Sequence, residues 1–331
     1  DGLLREQGRR SAGRGFPAVQ YALNPDGGYA LGIEVRPDAV IGALLNLNGQ
    51  TLFSKRVAIG DASPDAVVAK VVRLRDRALT ETAVPPHRVM GVGVVMPGPI
   101  GMPGLSAAGS ELPDWQGVDP AELFSQALGV RVFVENDANA AAMAERISGV
   151  AKELTDYAFL YFGTGLGLGI VSGGRLERGA FGNAGEIGHV PVITPGGPAS
   201  LEDVVSRLSV RRHLLANGTD VTSGEDLVRL FARRNTYLLD WLEAASEPLS
   251  HAIQMIENLF DPEAVILGGA MPDPLLDFLI SQIRLADASV SNRPNRAAPR
   301  LLRGSLGRFG ATLGGAALVI NQSFTPQIAA E

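Results

Sequence analysis

The sequence predicts an α/β protein whose two lobes share one plan. Strand-like apolar runs alternate with segments of helical spacing along the first 150 residues. The stretch YAFLYFGTGLGLGIVSGGRL, residues 157–176, then repeats the layout that begins at Tyr29: Tyr-Ala, an apolar strand, a turn, a second apolar strand and a Gly turn. A chain of 331 residues, 46% apolar and 19% charged, is long enough for two such lobes with substantial cores.

The first lobe is predicted from apolar runs that end at Gly, Pro or Asn and from the helical patterns between them. The predicted strands are residues 29–35, 39–47, 51–59, 89–97 and 130–137. The predicted helices are residues 64–80, 120–128 and 138–147.

Beyond Gly188 the pattern changes to longer helical segments, followed by one more strand and a small-residue helix that could pack tightly. These segments are residues 201–215, 224–231 and 235–259, then VILGGAMPDP from Val265 and a final helix at 307–322. We expect three parts: 1–26, then 27–140 completed by the helix at 307–322, and 141–306.

Composition narrows the class of protein. No apolar run reaches the roughly 18 residues that span a bilayer, and no secretory signal peptide is visible, so we expect a cytoplasmic protein. The absence of Cys excludes a disulfide framework and any zinc site built on thiolates, and the four His show no paired ligand spacing. We therefore expect no metal.

Net charge is unevenly distributed. The chain carries −6, yet its first twenty residues carry +2, from four Arg against two acids. An acidic body does not attract nucleic acid, whereas a short basic edge can, although a solvated tail explains the same charges.

The first hairpin, GIEVRPDAVIGALLNLNGQ from Gly32, is predicted as strand, turn and strand, with a second turn at Asn48 and Gly49. Its first turn is Arg36-Pro37-Asp38.

Several polar residues are candidates for ligand binding. Asn136 and Asp137 lie between an apolar strand and an Ala-rich helix, where they either cap the helix or present ligand groups at the end of a strand. Glu186 and His189 lie among glycines, and Glu202 lies at a helix start that favours a carboxylate in any case. Each has a purely structural reading, but together they supply the donors and acceptors that sugar hydroxyls require.

The run GTGLGLGIVSGGRLERGAFGNAGEIGH, Gly163 to His189, resembles the signature of the ROK family, which groups repressors, uncharacterised reading frames and sugar kinases. One departure is Phe162, where an aliphatic residue is usual. Further matches are MPGPI at Met96, LPDWQGVD at Leu112, VENDANAAAMAE at Val134 and VILGGAMPD at Val265.

The resemblance implies two ribonuclease H-like lobes of the actin and hexokinase type, with sugar in the cleft between them. It implies that Asn136, Asp137, Glu186, His189 and Glu202 contact sugar, and that Asp137 is the catalytic base if the chain is a kinase. It also implies that Gly163, Thr164, Gly165, Gly268 and Gly269 are what remains of a nucleotide site.

Two departures from the family matter. Many members carry a CxCGxxGCxE zinc motif after the family His, but VPVITPGGPASLED has no Cys and places Ile193, Pro195 and Ser200 near the lost ligands. Family kinases carry Asp-x-Gly-Gly-Thr at the first hairpin, where this chain has Glu34-Val35-Arg36-Pro37-Asp38. Pro37 has no N–H to offer a phosphate and Asp38 adds negative charge, so we interpret the nucleotide site as dismantled and expect no cofactor.

The first residues resemble the join between the wing of a winged helix-turn-helix and the body of family regulators, with Gly15-Phe16-Pro17 in place of the usual Gly-Arg-Pro and with Arg14 shifted. We therefore expect a sugar-responsive regulator that forms a homodimer or a higher homo-oligomer and reaches operator DNA through a domain upstream of Asp1. The alternatives are an ATP-dependent sugar kinase that tolerates an unusual hairpin, and a sugar-binding protein with neither activity.

Overall fold

The computed structural model describes residues 2–10, 18–98, 112–194 and 196–324. Its contacts divide the chain into two compact units, Asp1–Asn136 with Thr312–Glu331, and Asp137–Ala311. The sequence-based boundaries placed residues 137–140 in the first part and 307–311 with the C-terminal helix. The helix that starts at Asp137 lies instead wholly in the second unit, because it packs on strands of that unit.

The first unit opens with an antiparallel hairpin and continues with a mixed five-stranded sheet and two helices. The hairpin pairs β1 (Leu4–Arg10) with β2 (Ala18–Leu23). The sheet strands are β3 (Tyr29–Arg36), β4 (Ala39–Asn46), β5 (Thr51–Ala58), β6 (Val89–Val95) and β7 (Val132–Glu135), in the order β5-β4-β3-β6-β7. The helices are α1 (Pro64–Thr82) and α2 (Pro120–Leu128).

The second unit holds the other mixed sheet and most of the helices. Its helices are α3 (Asp137–Ser148), α4 (Leu201–Val204), α5 (Arg207–Ala216), α6 (Gly224–Ala232), α7 (Thr236–Phe260) and α8 (Asp273–Gln282). Its strands are β8 (Tyr157–Phe162), β9 (Leu166–Ser172), β10 (Arg175–Leu176), β13 (Ala264–Gly269) and β14 (Leu301–Arg303), with a separate hairpin of β11 (Pro191–Thr194) and β12 (Gly197–Ser200).

The two sheets have the same topology. The order β10-β9-β8-β13-β14 repeats that of the first unit, with three antiparallel strands followed by two parallel ones. The common plan predicted from the echo of the Tyr29 hairpin at Tyr157 is therefore confirmed.

The last helix, α9 (Gly310–Phe324), packs against the first sheet as its small residues predict. A Cβ at Gly32 would overlap the carbonyl oxygen of Thr312, and one at Gly93 would overlap that of Gly315. Glycine on β3 and β6 therefore allows the helix backbone to lie directly on the sheet.

One predicted helix is divided. The segment 201–215 breaks after α4, because Ser206 begins a new helix with its own capping box. The Ser206 hydroxyl accepts a hydrogen bond from the Ser209 N–H at 3.0 Å, and the Ser209 hydroxyl in turn accepts from the Ser206 N–H at 2.9 Å. Within the described ranges, no helix is long and apolar enough to cross a bilayer.

Candidate functional site

Asp137 is the first residue of α3, and two glycines of β9 hold that helix against the second sheet. A Cβ at Gly167 would lie 2.8 Å from the Ala138 Cβ, and one at Gly169 would lie 2.7 Å from the Ala138 carbonyl oxygen. Alternate glycines on β9 and alanines on α3 thus bring helix and sheet into direct contact. This packing fixes the end of the helix that carries the Asp137 carboxylate.

The other end of α3 is fastened by Glu145, a residue to which the sequence alone assigned no role. Its side chain is 1% exposed and accepts hydrogen bonds from the backbone N–H groups of Ser305 at 2.7 Å, Leu306 at 3.1 Å and Val150 at 2.8 Å. A buried carboxylate needs such donors. In the sequence, the feature that could have indicated this role is an acidic residue that directly follows the apolar run of α3.

The turn Gly163-Thr164-Gly165 joins β8 to β9 and lies beside Asp137. A Cβ at Gly163 would be 3.1 Å from Asp137 Oδ2, and the Leu208 N–H donates to the Thr164 carbonyl oxygen at 3.1 Å. The turn is therefore held between the start of α3 and the start of α5.

Glu202 projects against the same turn from the second position of α4. A Cβ at Gly165 would overlap its Oε2, and one at Gly188 would lie 3.2 Å from that atom. The neighbouring carboxylate has a different task, since hydrogen bonds from the Ser200 hydroxyl and the Arg212 guanidinium lower the pKa of Asp203 and make it part of a helix cap. Glu202 does not take part in this capping box, and its side chain lies against the glycine turns.

A short 3-10 turn, Ile187–His189, follows the Gly-rich loop, with Glu186 just before it and His189 as its last residue. Glu186 Oε2 lies 3.6 Å from His189 Nε2, and both side chains are exposed. Gly185, at φ +93°, fixes this loop to β9, because its carbonyl oxygen accepts from the Leu168 N–H at 3.1 Å and a Cβ there would overlap the Leu168 carbonyl oxygen.

The second unit therefore gathers most of the predicted site residues through contacts that pass from one to the next. Asp137 adjoins Gly163, Gly165 adjoins Glu202, and Gly188 joins Glu202 to the turn of Glu186 and His189. The predicted remnant Gly268-Gly269 ends β13, and the next N–H, of Ala270, donates to the Phe162 carbonyl oxygen at 2.7 Å. Asn136 is the last residue of the first unit, and its backbone N–H donates to Glu135 Oε1 at 3.1 Å.

In the β3–β4 hairpin of the first unit, the charged side chains pair with other residues of that unit. Arg36 pairs with Ala39, so Pro37 and Asp38 form the turn. The Arg36 guanidinium donates to Glu34 Oε1 at 2.5 Å, and Glu34, 4% exposed, also accepts from the Thr312 hydroxyl. Asp38 accepts from the Arg56 guanidinium at 2.5 Å.

Comparison with known proteins assigns the chain to a family. The model of the ROK family matches residues 30–322. The chain belongs to the ROK family. It is 26% identical over 326 residues to the xylose repressor of Bacillus spizizenii, a match that covers 97% of this chain and 84% of that protein.

Solved ROK structures include both branches of the family. A ROK transcriptional regulator, a homologue of the Escherichia coli Mlc protein, matches with a TM-score of 0.74 at 24% identity over 97% of this chain and 85% of its own. The ROK hexokinase of Thermus thermophilus matches with a TM-score of 0.69 at 27% identity over 87% of this chain and 97% of its own. The two units therefore have the ribonuclease H-like fold of the actin and hexokinase type.

The segment where many ROK proteins carry their zinc motif is a hairpin here. β11 and β12 pair Val192 with Ala199, and the Thr194 hydroxyl donates to the Gly197 carbonyl oxygen at 2.8 Å while accepting from the Gly196 N–H at 3.2 Å. Ile193, near one of the lost ligand positions, is 83% exposed. Strand pairing and the Thr194 hydroxyl thus hold this loop. The described residues contain no cluster of three or more His, Asp and Glu that suits a metal ion.

Some sequence predictions fall on residues outside the described ranges. These are Arg14 and Gly15-Phe16-Pro17 of the wing motif, Pro195 of the zinc segment, Pro99 and Ile100 of the MPGPI match, and residues 106–111 of the loop before Trp115.

Proposed function

We propose that this chain is the effector-binding and dimerising part of a sugar-responsive ROK transcriptional regulator that binds a sugar or sugar derivative without phosphorylating it. The observation that carries the proposal is the β3–β4 hairpin. Pro37 has no N–H for a phosphate, and the side chain of Arg36 is bonded to Glu34. Asp38 adds a carboxylate at the same turn, and its negative charge disfavours a phosphate there.

The sugar ligands are Asn136, Asp137, Glu186, His189 and Glu202. Carboxylates accept hydrogen bonds from hydroxyls, while an amide and an imidazole both donate and accept, so this set suits a polyhydroxylated ligand. The contacts that join Asp137, Glu202 and the Glu186-His189 turn through glycine backbone support a single ligand site.

The regulator branch is also supported by the start of the chain. Hairpin β1–β2 presents exposed Arg5 and Arg9, as a wing that approaches DNA would. The match to the xylose repressor covers nearly this whole chain but leaves part of that repressor outside it. Operator DNA is reached through a domain upstream of Asp1, and the protein acts as a cytoplasmic homodimer.

A ROK sugar kinase is the second candidate, and two observations favour it. The turns at Gly163-Thr164-Gly165 and Gly268-Gly269 keep the glycines of a nucleotide site, and the hexokinase of Thermus thermophilus resembles this chain at 27% identity. In this alternative Asp137 removes the proton of the attacking sugar hydroxyl.

A binding experiment separates the candidates. A thermal-shift screen of D-xylose, D-glucose and their phosphates identifies a ligand, which raises the melting temperature by mass action. Calorimetric titration of that sugar is then repeated with saturating Mg²⁺ and a non-hydrolysable ATP analogue. A regulator gives the same sugar affinity with and without nucleotide and no heat from the nucleotide alone. Nucleotide binding would favour the kinase, and a screen without any shift would count against a sugar site.

A further inference from the structure

One face of β8 carries a row of aromatic side chains beneath α3. Tyr157, Phe159 and Tyr161 alternate along the strand, and the Tyr157 hydroxyl donates to the Ala142 carbonyl oxygen at 2.8 Å. The rings of Phe159 and Tyr161 lie 6.4 Å apart between centroids. Because side chains on a strand alternate between faces, this row is separate from Ala158, Leu160 and Phe162, which belong to the main core of the unit.

Glycines pair with the last two rings of this row. Phe159 lies opposite Gly169 on β9, while Tyr161 lies opposite Gly167 on β9 and Gly268 on β13. The rings of Phe159 and Tyr161 thus lie beside residues of the neighbouring strands that have no side chain. They fill the space that these glycines leave.

Tyr161 is the ring of the row that lies at the candidate site. It is 3% exposed, and its Cε1 lies 2.9 Å from the point where a Gly163 Cβ would be, while Asp137 Oδ2 lies 3.1 Å from that same point. The other edge of the ring, Cδ2, is 2.9 Å from the corresponding point of Gly269. The ring therefore lies against both glycine turns, and Gly163 has the ring and the Asp137 carboxylate as its two nearest neighbours.

We propose that the ring of Tyr161 is a positioning residue for Asp137: it supports the Gly163 turn from below and so fixes the place of the carboxylate that binds the sugar hydroxyl. This inference rests on the proposed sugar site. Close-packed interiors respond to the loss of a ring by partial collapse, which here would move the Gly163 backbone and release Asp137. A hydrogen bond weakens steeply when its geometry is disturbed.

Three variants distinguish a positioning role of the Tyr161 ring from a purely structural role. Tyr161→Leu removes the ring, Tyr161→Phe keeps it, and Phe159→Leu removes the preceding ring of the same row, which lies beside Gly268 and Gly304 rather than beside Gly163. Both Leu variants should lower the melting temperature to a similar degree. Only Tyr161→Leu should weaken sugar affinity, by about tenfold or more, the smallest effect expected when a charge-assisted hydrogen bond is lost. Tyr161→Phe and Phe159→Leu should stay within about twofold of the unsubstituted chain.

The measurement is calorimetric titration with whichever of D-xylose, D-glucose or their phosphates raises the melting temperature, together with crystal structures of Tyr161→Phe and Tyr161→Leu. Tyr161→Met, whose side chain is about as large as that of Leu but more flexible and better able to fill an irregular gap, replaces the Leu variant if that one fails to fold. A displaced Asp137 carboxylate in the Leu or Met structure supports the assignment. An unmoved carboxylate, equal weakening by Phe159→Leu, or equal weakening by Tyr161→Phe overturns it. If no sugar binds the unsubstituted chain, the proposed function fails, yet the crystal structures still decide whether Tyr161 places Asp137.

Discussion

The Arg36 guanidinium donates to the buried Glu34 carboxylate at 2.5 Å, two residues away on the same strand. Residues i and i+2 of a strand share a face, so β3 itself brings the pair together. The Thr312 hydroxyl donates to the other oxygen of Glu34 and joins α9 to the hairpin strand. This hairpin, which the family resemblance aligns with the Asp-x-Gly-Gly-Thr turn of ROK kinases, contains an internal ion pair and a proline.

Arg36→Ala should lower the free energy of unfolding by about 1 to 3 kcal/mol, because it leaves a buried carboxylate with one fewer donor. Arg56→Ala is the matched control. It removes the exposed partner of Asp38 in the same hairpin and should cost less than about 1 kcal/mol. Urea unfolding of both variants makes the comparison. Equal losses would mean that the Arg36–Glu34 pair contributes no more than a surface ion pair.

Gly169→Ala should destabilise the protein by about 1 to 3 kcal/mol through overpacking. Its methyl group would lie 2.7 Å from the Ala138 carbonyl oxygen and 2.8 Å from the Ala142 Cβ, so α3 would have to move away from the sheet. Gly60→Ala is the control, since a Cβ there meets nothing within 4 Å. Thermal unfolding in which Gly169→Ala matches Gly60→Ala would contradict the direct packing of α3 on β9.

Local pattern explains why most of the fold was predictable. Apolar runs that end at Gly, Pro or Asn predicted β3 to β7, and the bounds of α2 agree with its predicted range, since Pro120 begins the helix and Gly129 follows its last residue. The similar turn spacing after Tyr29 and Tyr157 predicted two sheets of one topology. The segment 201–215 was predicted as one helix because the capping box at Ser206 is closed by Ser209, and the sequence signature of a capping box has Glu or Gln at that position.

The parts of the site that depend on distant pairing were not predictable from local pattern. Glu34 and Thr312 are 278 positions apart, and no spacing rule connects them. Tyr161 resembles any aromatic of a buried strand, and only the folded sheet places it between Gly163 and Gly269. The resemblance to a known family supplied Glu186, His189 and Glu202 as a set, because each alone has a structural explanation.

Metal chelation should leave the melting curve unchanged. The chain has no Cys, and the segment that carries the zinc motif in many ROK proteins is held by the pairing of β11 with β12 and by the Thr194 hydroxyl. Differential scanning calorimetry with and without EDTA measures this. A large drop in melting temperature, together with stoichiometric zinc by elemental analysis, would show that the hairpin account is wrong.

Asp137→Ala should weaken sugar affinity about 10- to 150-fold, since a hydrogen bond to a charged group contributes about 1.5 to 3 kcal/mol. Asp137→Asn should be milder because the amide keeps one acceptor. Asp226→Ala is a control from the same unit, because that carboxylate accepts hydrogen bonds from Thr222 and Ser223 at the start of α6, a helix that carries none of the proposed sugar ligands. Calorimetric titration that gives Asp137→Ala full affinity, with its fold intact, would place the ligand elsewhere.

The central claim is that this ROK protein recognises a sugar and leaves it unphosphorylated, and the release of ADP from Mg-ATP in the presence of a bound sugar tests it most directly. Phosphoryl transfer depends on positioning and charge stabilisation at the phosphates, and the proposed function holds that the Arg36-Pro37-Asp38 segment does not provide them. We predict ADP release no faster with the sugar than without it, at sugar concentrations that saturate the calorimetric titration. Sugar-dependent turnover of about 1 per second or more, the lower end for kinases, would contradict the account and establish the kinase instead.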